Sequence, residues 1–312
     1  MKIAILDKDT LGNDISLKCI EAFGEVTAYP FTRPEERLAR VQNSDIVITN
    51  KVVIDKEIMQ NSDIKLICVA ATGMNNIDLD YAKERSIPVK NVAGYSTPSV
   101  VQTTFAMALY LMQHLRHFDD YTKSDSGWTQ SPVFTSLIPA YNDLADKNWG
   151  IIGLGEIGKS VAKVAEAFGS NILYYSTSGR NRDPDYQRTT LDDLLSSCDI
   201  VSIHAPLNPQ TQNLINKNNL PLMKNDAVLL NLGRGGIINE EDLAAYIDRS
   251  TIRAGLDVLE HEPITADNPL LHIKAKERLL MTPHIAWASK ESRERLVAGI
   301  CKNIETFLGE TS

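Results

Sequence analysis

Three segments in the second half of the chain carry side chains able to do acid–base work on a small anion. They are Arg234, the acidic group Asp257, Glu260 and Glu262, and His284 within Met281-Thr-Pro-His-Ile-Ala-Trp-Ala-Ser289. A histidine changes charge near neutrality, a carboxylate beside it favours the protonated ring, and an arginine grips a carboxylate through two parallel bonds. Together they suit hydride transfer to a 2-oxo acid. Arg234 would hold and polarise the acid, His284 would give the proton as hydride arrives from a nicotinamide, and a carboxylate would keep His284 charged. Each residue alone is more often a surface group or a satisfied hydrogen-bond partner than a catalyst. What favours chemistry is their convergence at the ends of strands that follow a dinucleotide-binding turn.

That turn lies in Asn148-Trp-Gly-Ile-Ile-Gly-Leu-Gly-Glu-Ile-Gly158, an apolar strand that leads into a helix of small and apolar residues, Val161 to Phe168. Gly153 permits the tight turn, Gly155 lets the backbone approach a pyrophosphate, and Gly158 lets helix and strand pack closely; the helix N-terminus offers free N–H groups to the anion. A lone GxGxxG is a weak signal, and its place between strand and helix is what gives it weight. About twenty residues on, an Asp or Glu would bond both ribose hydroxyls of NAD. Here the strand ends Tyr174-Tyr-Ser-Thr-Ser-Gly-Arg180. Ser176 replaces the acid, which removes repulsion against a 2′-phosphate, and Ser176, Thr177, Ser178 and Arg180 could bond one. The expected cofactor is therefore NAD or NADP, with NADP at least tolerated; a plain polar turn that ignores the phosphate is the alternative.

The elements that must position these residues follow an α/β rhythm. Short apolar strands at Ile3 to Leu6, Val26 to Tyr29, Ile46 to Thr49, Leu66 to Ala70 and Val89 to Val92 alternate with helical patterns, which implies a parallel sheet. The loop Ala70-Ala-Thr-Gly-Met-Asn-Asn76 sits at a strand's carboxyl end, where open α/β sheets put their ligands, and its backbone N–H groups suit a carboxylate. Gly94-Tyr-Ser-Thr-Pro98 breaks the pattern and reads as a domain crossing. A long helix from about Ser99 to His117 is expected next, capped by Thr97 or Ser99. The segment from Asp119 to Asp146 is irregular yet holds Trp128, Phe134, Leu137, Ile138 and Tyr141, and apolar groups on such an arm suggest cover by a second subunit, a homodimer; packing back on their own domain is the alternative. A second strand series follows at Asn171 to Tyr175, Asp199 to Ile203, Ala227 to Asn231, Ile252 to Leu256 and Leu279 to Met281, with a last helix from Ser289 to Leu308. Its strands end in His204-Ala-Pro-Leu207 and Asn231-Leu-Gly-Arg-Gly-Gly236, so polar and glycine residues gather along one rim.

Composition narrows the class. At 312 residues the chain is long enough for two domains, and a net charge of −8 without any Lys/Arg run argues against nucleic acid or anionic membrane as partner. The opening run Met1 to Asp7 is too short for a signal peptide, and the most apolar helical stretch, Thr104 to Met112, falls well short of the ~20 residues that span a bilayer. Cys19, Cys68, Cys198 and Cys301 lie far apart and read as reduced, mostly buried thiols of a cytoplasmic protein. His114 and His117 have no Cys or acidic partner at a recognisable spacing, so no metal site is expected, and Asp119-Asp120 reads as solvated.

With these residues in hand the chain resembles the D-2-hydroxyacid dehydrogenases over essentially its whole length. The resemblance rests on Gly153-Leu-Gly-Glu-Ile-Gly158, Asn231-Leu-Gly-Arg-Gly-Gly236, Leu256-Asp-Val-Leu-Glu-His-Glu-Pro263 and Thr282-Pro-His-Ile-Ala-Trp-Ala-Ser289, in order and at family spacing. It implies two Rossmann-like doubly wound parallel-sheet domains with a cleft between them. Residues 1–97 with 285–312 would form a flavodoxin-like substrate domain, and residues 98–284 the dinucleotide-binding domain. It also implies Arg234 for substrate binding, His284 as acid/base, Glu262 as the partner of His284 and Asp257 at the nicotinamide carboxamide, leaving Glu260 a solvated acid. Ala71, Thr72 and Gly73 would join Arg234 and His284 in holding substrate. Glu156, Ile157, His204, Ala205, Pro206, Thr211, Leu232, Gly233 and Ala286 would join the glycines and the Ser176 turn around the dinucleotide.

Within that family, Cys68-Val-Ala-Ala-Thr-Gly-Met-Asn-Asn76 and the Thr282 to Ser289 string look most like bacterial glycerate dehydrogenase/hydroxypyruvate reductase. The expected reaction is reduction of a small 2-oxo acid, hydroxypyruvate to D-glycerate. Small changes in an apolar pocket shift discrimination by only ~1–3 kcal/mol, so D-lactate dehydrogenase activity is the nearest alternative. A nicotinamide-sensing corepressor-like binding protein on the same scaffold is the alternative from another class.

Overall fold

The computed structural model describes residues 1–180 and 182–310. By its contacts the chain divides into two compact units, Met1–Ser96 with the segment from Ala288 onward, and Thr97–Trp287. The first holds a parallel sheet of β1 (Lys2–Ile5), β2 (Glu25–Ala28), β3 (Ile46–Thr49), β4 (Leu66–Val69) and β5 (Val89–Lys90), in the order β2-β1-β3-β4-β5. Its helices are α1 (Lys18–Glu21), α2 (Arg37–Val41), α3 (Lys56–Gln60), α4 (Leu79–Glu84) and the C-terminal helix Lys290–Glu310, which packs on α1 and β4. The strands β3 and β4 are buried at every residue, which is why they read as unbroken apolar runs rather than alternating ones.

Two sets of hydrogen bonds shape the carboxyl rim of this first sheet. Asp7, just past β1, accepts the N–H groups of Asn50 at 2.9 Å and Lys51 at 2.7 Å, while burial pushes its carboxyl above the ordinary value. The loop after β4 is braced in turn: Asn91 Nδ2 donates to Thr72 O at 2.6 Å, and Asn303 Nδ2 of the C-terminal helix donates to Asn91 O at 2.9 Å. The segment from Ala288 packs in the first unit, whereas Ile285 to Trp287 and Thr97, expected there too, fall in the second; Thr311 and Ser312 lie outside the described residues.

The second unit is built on seven parallel strands: β6 (Asn148–Ile152), β7 (Asn171–Tyr175), β8 (Gln187–Arg188), β9 (Ile200–Ile203), β10 (Val228–Asn231), β11 (Arg253–Leu256) and β12 (Leu279–Met281). Their order is β12-β11-β10-β9-β6-β7-β8, so the order reverses beside β6, where a doubly wound sheet opens its ligand crevice. Helices α5 (Thr97–Met112), α6 (Leu115–Lys123), α7 (Glu156–Ala167), α8 (Leu191–Ser197) and α9 (Glu240–Ile247) accompany it. The central strand is anchored by Trp149, fully buried, whose indole N–H donates to Ser202 Oγ at 2.9 Å. Gly150 follows it because a Cβ there would stand 2.6 Å from Leu194 of α8. No helix among the described residues is long and apolar enough to cross a membrane.

Two expectations need correction. The long helix from Ser99 to His117 is two helices, because His114 takes a left-handed φ of 51° and turns the chain at the end of α5. The His114 ring is held by Arg253 Nη2 at 3.1 Å from Nε2, a tertiary contact that no local propensity announces. Thr97 and Ser99 are both inside α5, and the Thr97 hydroxyl donates to Glu156 Oε1 at 2.7 Å. The second correction concerns the thiols. Cys19 of α1 and Cys301 of the C-terminal helix form a disulfide across 282 residues of sequence, with Cα atoms 6.2 Å apart, because packing of the first helix against the last joins residues the sequence keeps far apart. Cys68 and Cys198 are free and buried, and burial pushes their thiols up to about 12 and about 11. Unfolded without reductant, the chain should therefore titrate two thiols and, after reduction, four; four at the outset would contradict the Cys19–Cys301 bond.

Candidate active site

The site of the second unit grows from Asp257, the residue after β11. Its carboxylate is 2% exposed and takes three donors from one turn: Thr282 Oγ1 at 2.6 Å, Ile285 N at 2.8 Å and Ala286 N at 2.9 Å. The turn between them carries His284 in a left-handed conformation, φ 54°, which costs a residue with a side chain roughly 1–2 kcal/mol. That conformation is over-determined, since the His284 N–H is also bonded to Asp257 O at 2.8 Å. Ala286, expected against the dinucleotide, thus spends its N–H on Asp257. The imidazole is aimed at Glu262: Nδ1 lies 2.7 Å from Glu262 Oε2, and Glu262 Oε1 accepts the Leu259 N–H at 3.0 Å. With Nδ1 committed to the carboxylate, Nε2 is the ring nitrogen that can serve a substrate.

Arg234 sits on the turn after β10. Asn231 braces that turn from both sides, accepting the Gly233 N–H at 3.1 Å and donating Nδ2 to Arg234 O at 2.9 Å. The guanidinium donates to Gly233 O at 2.7 Å and enters no ion pair among the described residues, so its charge is not neutralised by a neighbouring acid. The next residue, Gly235, packs its Cα directly on the Leu259 carbonyl, where no side chain fits. The Arg234 turn and the Glu262 loop are therefore in backbone contact. Glu260 leaves its side chain exposed, as a solvated acid does.

The glycine turn has the shape a pyrophosphate needs. Gly153 has φ 93°, and a Cβ there would stand 2.9 Å from Ala205 N. A Cβ at Gly158 would strike Gly153 O, so α7 and the turn are packed backbone to backbone. At Gly155, which caps α7, a Cβ would meet nothing within 4 Å. Glu156 and Ile157 open α7 beside it, and the Glu156 side chain is tied to Thr97. Around the turn stand buried polar atoms with no partner among the described residues: Ser176 Oγ at the end of β7, and both ring nitrogens of His204 after β9, whose burial pushes it down to about 3 and keeps it neutral. Open space at Gly155 and orphaned polar atoms on the flanking strand ends fit a ribose-phosphate ligand. The Ser176 turn closes on itself through Gly179 N to Ser176 O at 3.1 Å, with Thr177 half-buried, Arg180 exposed and Arg188 Nη1 donating to Gly179 O at 3.1 Å.

Other rim residues brace it. Thr211 is fully buried and its hydroxyl donates to Pro206 O at 2.7 Å and accepts from Asn208 N at 2.8 Å, so it holds the 206–208 loop in shape. Ala205 and Leu232 are buried, and a Cβ at Gly233 would stand 2.8 Å from Ala205 O. Ala71, Thr72 and Gly73 belong to the first unit, on the loop after β4. Sequence reasoning named Asp257 but missed its hold on the 282–286 turn, and gave no role to Asn231 or Asn91. Their signal, a polar residue at a strand end, is too common to single out a brace.

Fold and site together define an α/β protein with a nicotinamide-dinucleotide turn and an Arg, a Glu–His pair and a buried Asp on one sheet rim. Residues 105–286 match the family described as D-isomer specific 2-hydroxyacid dehydrogenase, NAD binding domain. The chain is 38% identical to a hydroxypyruvate reductase of Blautia hydrogenotrophica, covering 99% of this chain and 97% of that one. It is 33% identical to a glycerate dehydrogenase of Methylorubrum extorquens, covering 98% and 96%. Among solved structures, an acyclic imino acid reductase in complex with NADPH and D-Arg superposes with a TM-score of 0.86 at 28% identity, over 99% of this chain and 97% of that one. This chain belongs to the D-isomer specific 2-hydroxyacid dehydrogenase family.

Proposed function

We propose that this enzyme reduces hydroxypyruvate to D-glycerate with a reduced nicotinamide dinucleotide. The observation that carries the reading is the His284–Glu262 pair, 2.7 Å apart, held on the rim of a sheet whose glycine turn leaves Gly155 open. Similarity to a hydroxypyruvate reductase and a glycerate dehydrogenase supports the choice of acid. A bound reduced nicotinamide supplies the hydride that the carbonyl carbon receives. His284 Nε2 gives its proton to the carbonyl oxygen, which becomes the hydroxyl of the product, and Glu262 orients the ring through Nδ1. Arg234 binds the substrate carboxylate and polarises the carbonyl. Gly153, Gly155 and Gly158, with the N-terminus of α7, hold the pyrophosphate. Asp257 Oδ2 accepts one bond inside the protein and keeps capacity for a carboxamide N–H.

The Ser176 turn supports use of NADPH beside NADH. No acid stands there to repel a 2′-phosphate, and the buried Ser176 hydroxyl has no partner among the described residues. The similarity to a reductase bound to NADPH points the same way. A homodimer is supported by the arm between α6 and β6, where Phe134 is 88%, Ile138 81% and Leu137 77% exposed. We place the work in the cytoplasm, where reduced nicotinamide dinucleotides are available to the enzyme; recovery of the protein from outside the cell would overturn that location.

His284→Ala should cut hydroxypyruvate turnover by roughly 10²–10⁴-fold while NADH still binds; near-normal turnover would end this mechanism. Arg180→Ala should weaken NADPH more than NADH in direct titrations, and NADPH binding far weaker than NADH and unmoved by the change would remove the phosphate reading. Phe134→Asp with Ile138→Asp should sediment as a monomer where the parent is a dimer. A parent that is itself monomeric would end the homodimer reading.

A further inference from the structure

Glu240 opens α9 and is 8% exposed, with no cation paired to it among the described residues. Its carboxylate instead takes two donors from the acidic loop: the Glu260 N–H at 2.6 Å on Oε1, and Asn268 Nδ2 at 2.7 Å on Oε2. Those donors bracket residues 260–268, the loop that carries Glu262. Asn268 is buried as well and caps the next short helix through the Leu270 N–H at 3.0 Å. Burying a carboxylate without a cation is costly, and a neutral side chain would anchor a loop at lower cost. What the charge adds is two short, strong, directional bonds.

One of those bonds, from the Glu260 N–H, ends on the peptide that lies against the turn of Arg234 and beside the Leu259 N–H that holds Glu262. The nitrogen of Glu260 and the carbonyl of Leu259 belong to one peptide group. Its nitrogen is held by Glu240, and its oxygen lies against the Cα of Gly235, next to Arg234. One residue earlier, the Leu259 N–H fixes Glu262 Oε1 while Oε2 meets His284. We infer that Glu240 is a positioning residue for the reaction: it locks the Leu259–Glu260 peptide and thereby sets the Glu262 carboxylate against His284 and the turn that presents Arg234. The role rests on the proposed acid–base pair, because Glu240 acts only through it.

The test is a double-variant cycle on hydroxypyruvate reduction by NADH, with Glu240→Ala, Glu262→Gln and both together. Glu240→Ala should lower kcat on the order of 10–100-fold, as small misplacements of reacting groups do, with the NADH dissociation constant unchanged in direct titration. Glu240→Gln keeps an acceptor for the Glu260 N–H and should restore most of that loss. In the Glu262→Gln background, Glu240→Ala should cost little more, since residues acting as one unit are not additive. Should Glu240→Ala not fold, Asn268→Ala removes one of the two bonds, and its smaller loss should likewise vanish in the Glu262→Gln background. Unchanged kcat in Glu240→Ala, or a loss that multiplies in full on Glu262→Gln, would overturn the inference. If Glu262→Gln alone leaves kcat intact, the acid–base pair itself fails; a loss in Glu262→Gln beside an indifferent Glu240→Ala defeats only the positioning role.

Discussion

The structure of the site depends on one buried carboxylate. Asp257 is almost wholly shielded from water and would be costly to leave unsatisfied, so the 282–286 turn must fold over it and deliver its donors. Folding that way puts His284 in the left-handed region, a conformation a histidine would not choose by itself, and the ring is presented from a backbone with little freedom to move. Everything else is arranged to meet it. Leu259 offers Glu262 an N–H, Gly235 lets the Arg234 turn lie against that same loop, and Asn231 keeps the turn closed. Rigidity of this kind is what acid–base chemistry demands, because proton transfer tolerates little error in distance.

Much of this was legible in the sequence, and the reason is locality. The glycine turn works through residues five apart, each glycine answering a steric need that Gly153 and Gly158 display as backbone contacts a side chain would violate. The strands were legible because both faces of a parallel sheet are covered, which leaves apolar runs such as Ile46–Thr49. Arg234, Glu262 and His284 could be singled out because each stands in a motif at a strand's carboxyl end, where doubly wound sheets gather ligands.

What stayed hidden is contact between a side chain and distant backbone. Glu240 meets the Glu260 N–H, and any acid at the start of a helix looks the same before the chain is folded. The break at His114 escaped for a related reason: neither glycine nor proline marks it, and it answers to Arg253 on another strand. The Cys19–Cys301 bond joins the first helix to the last, and spacing alone cannot bring residues 282 apart together. Thr211 shows a further role that residue type could not announce, since its hydroxyl braces its own loop.

The central claim is that His284, backed by Glu262, gives the proton in reduction and takes it in oxidation. The most direct measurement is kcat against pH in both directions, hydroxypyruvate with NADH and D-glycerate with NAD. A single group that must be protonated for one direction and neutral for the other predicts opposed limbs: reduction fading as pH rises and oxidation fading as pH falls. Limbs on the same side in both directions, or no dependence in either, would contradict the account.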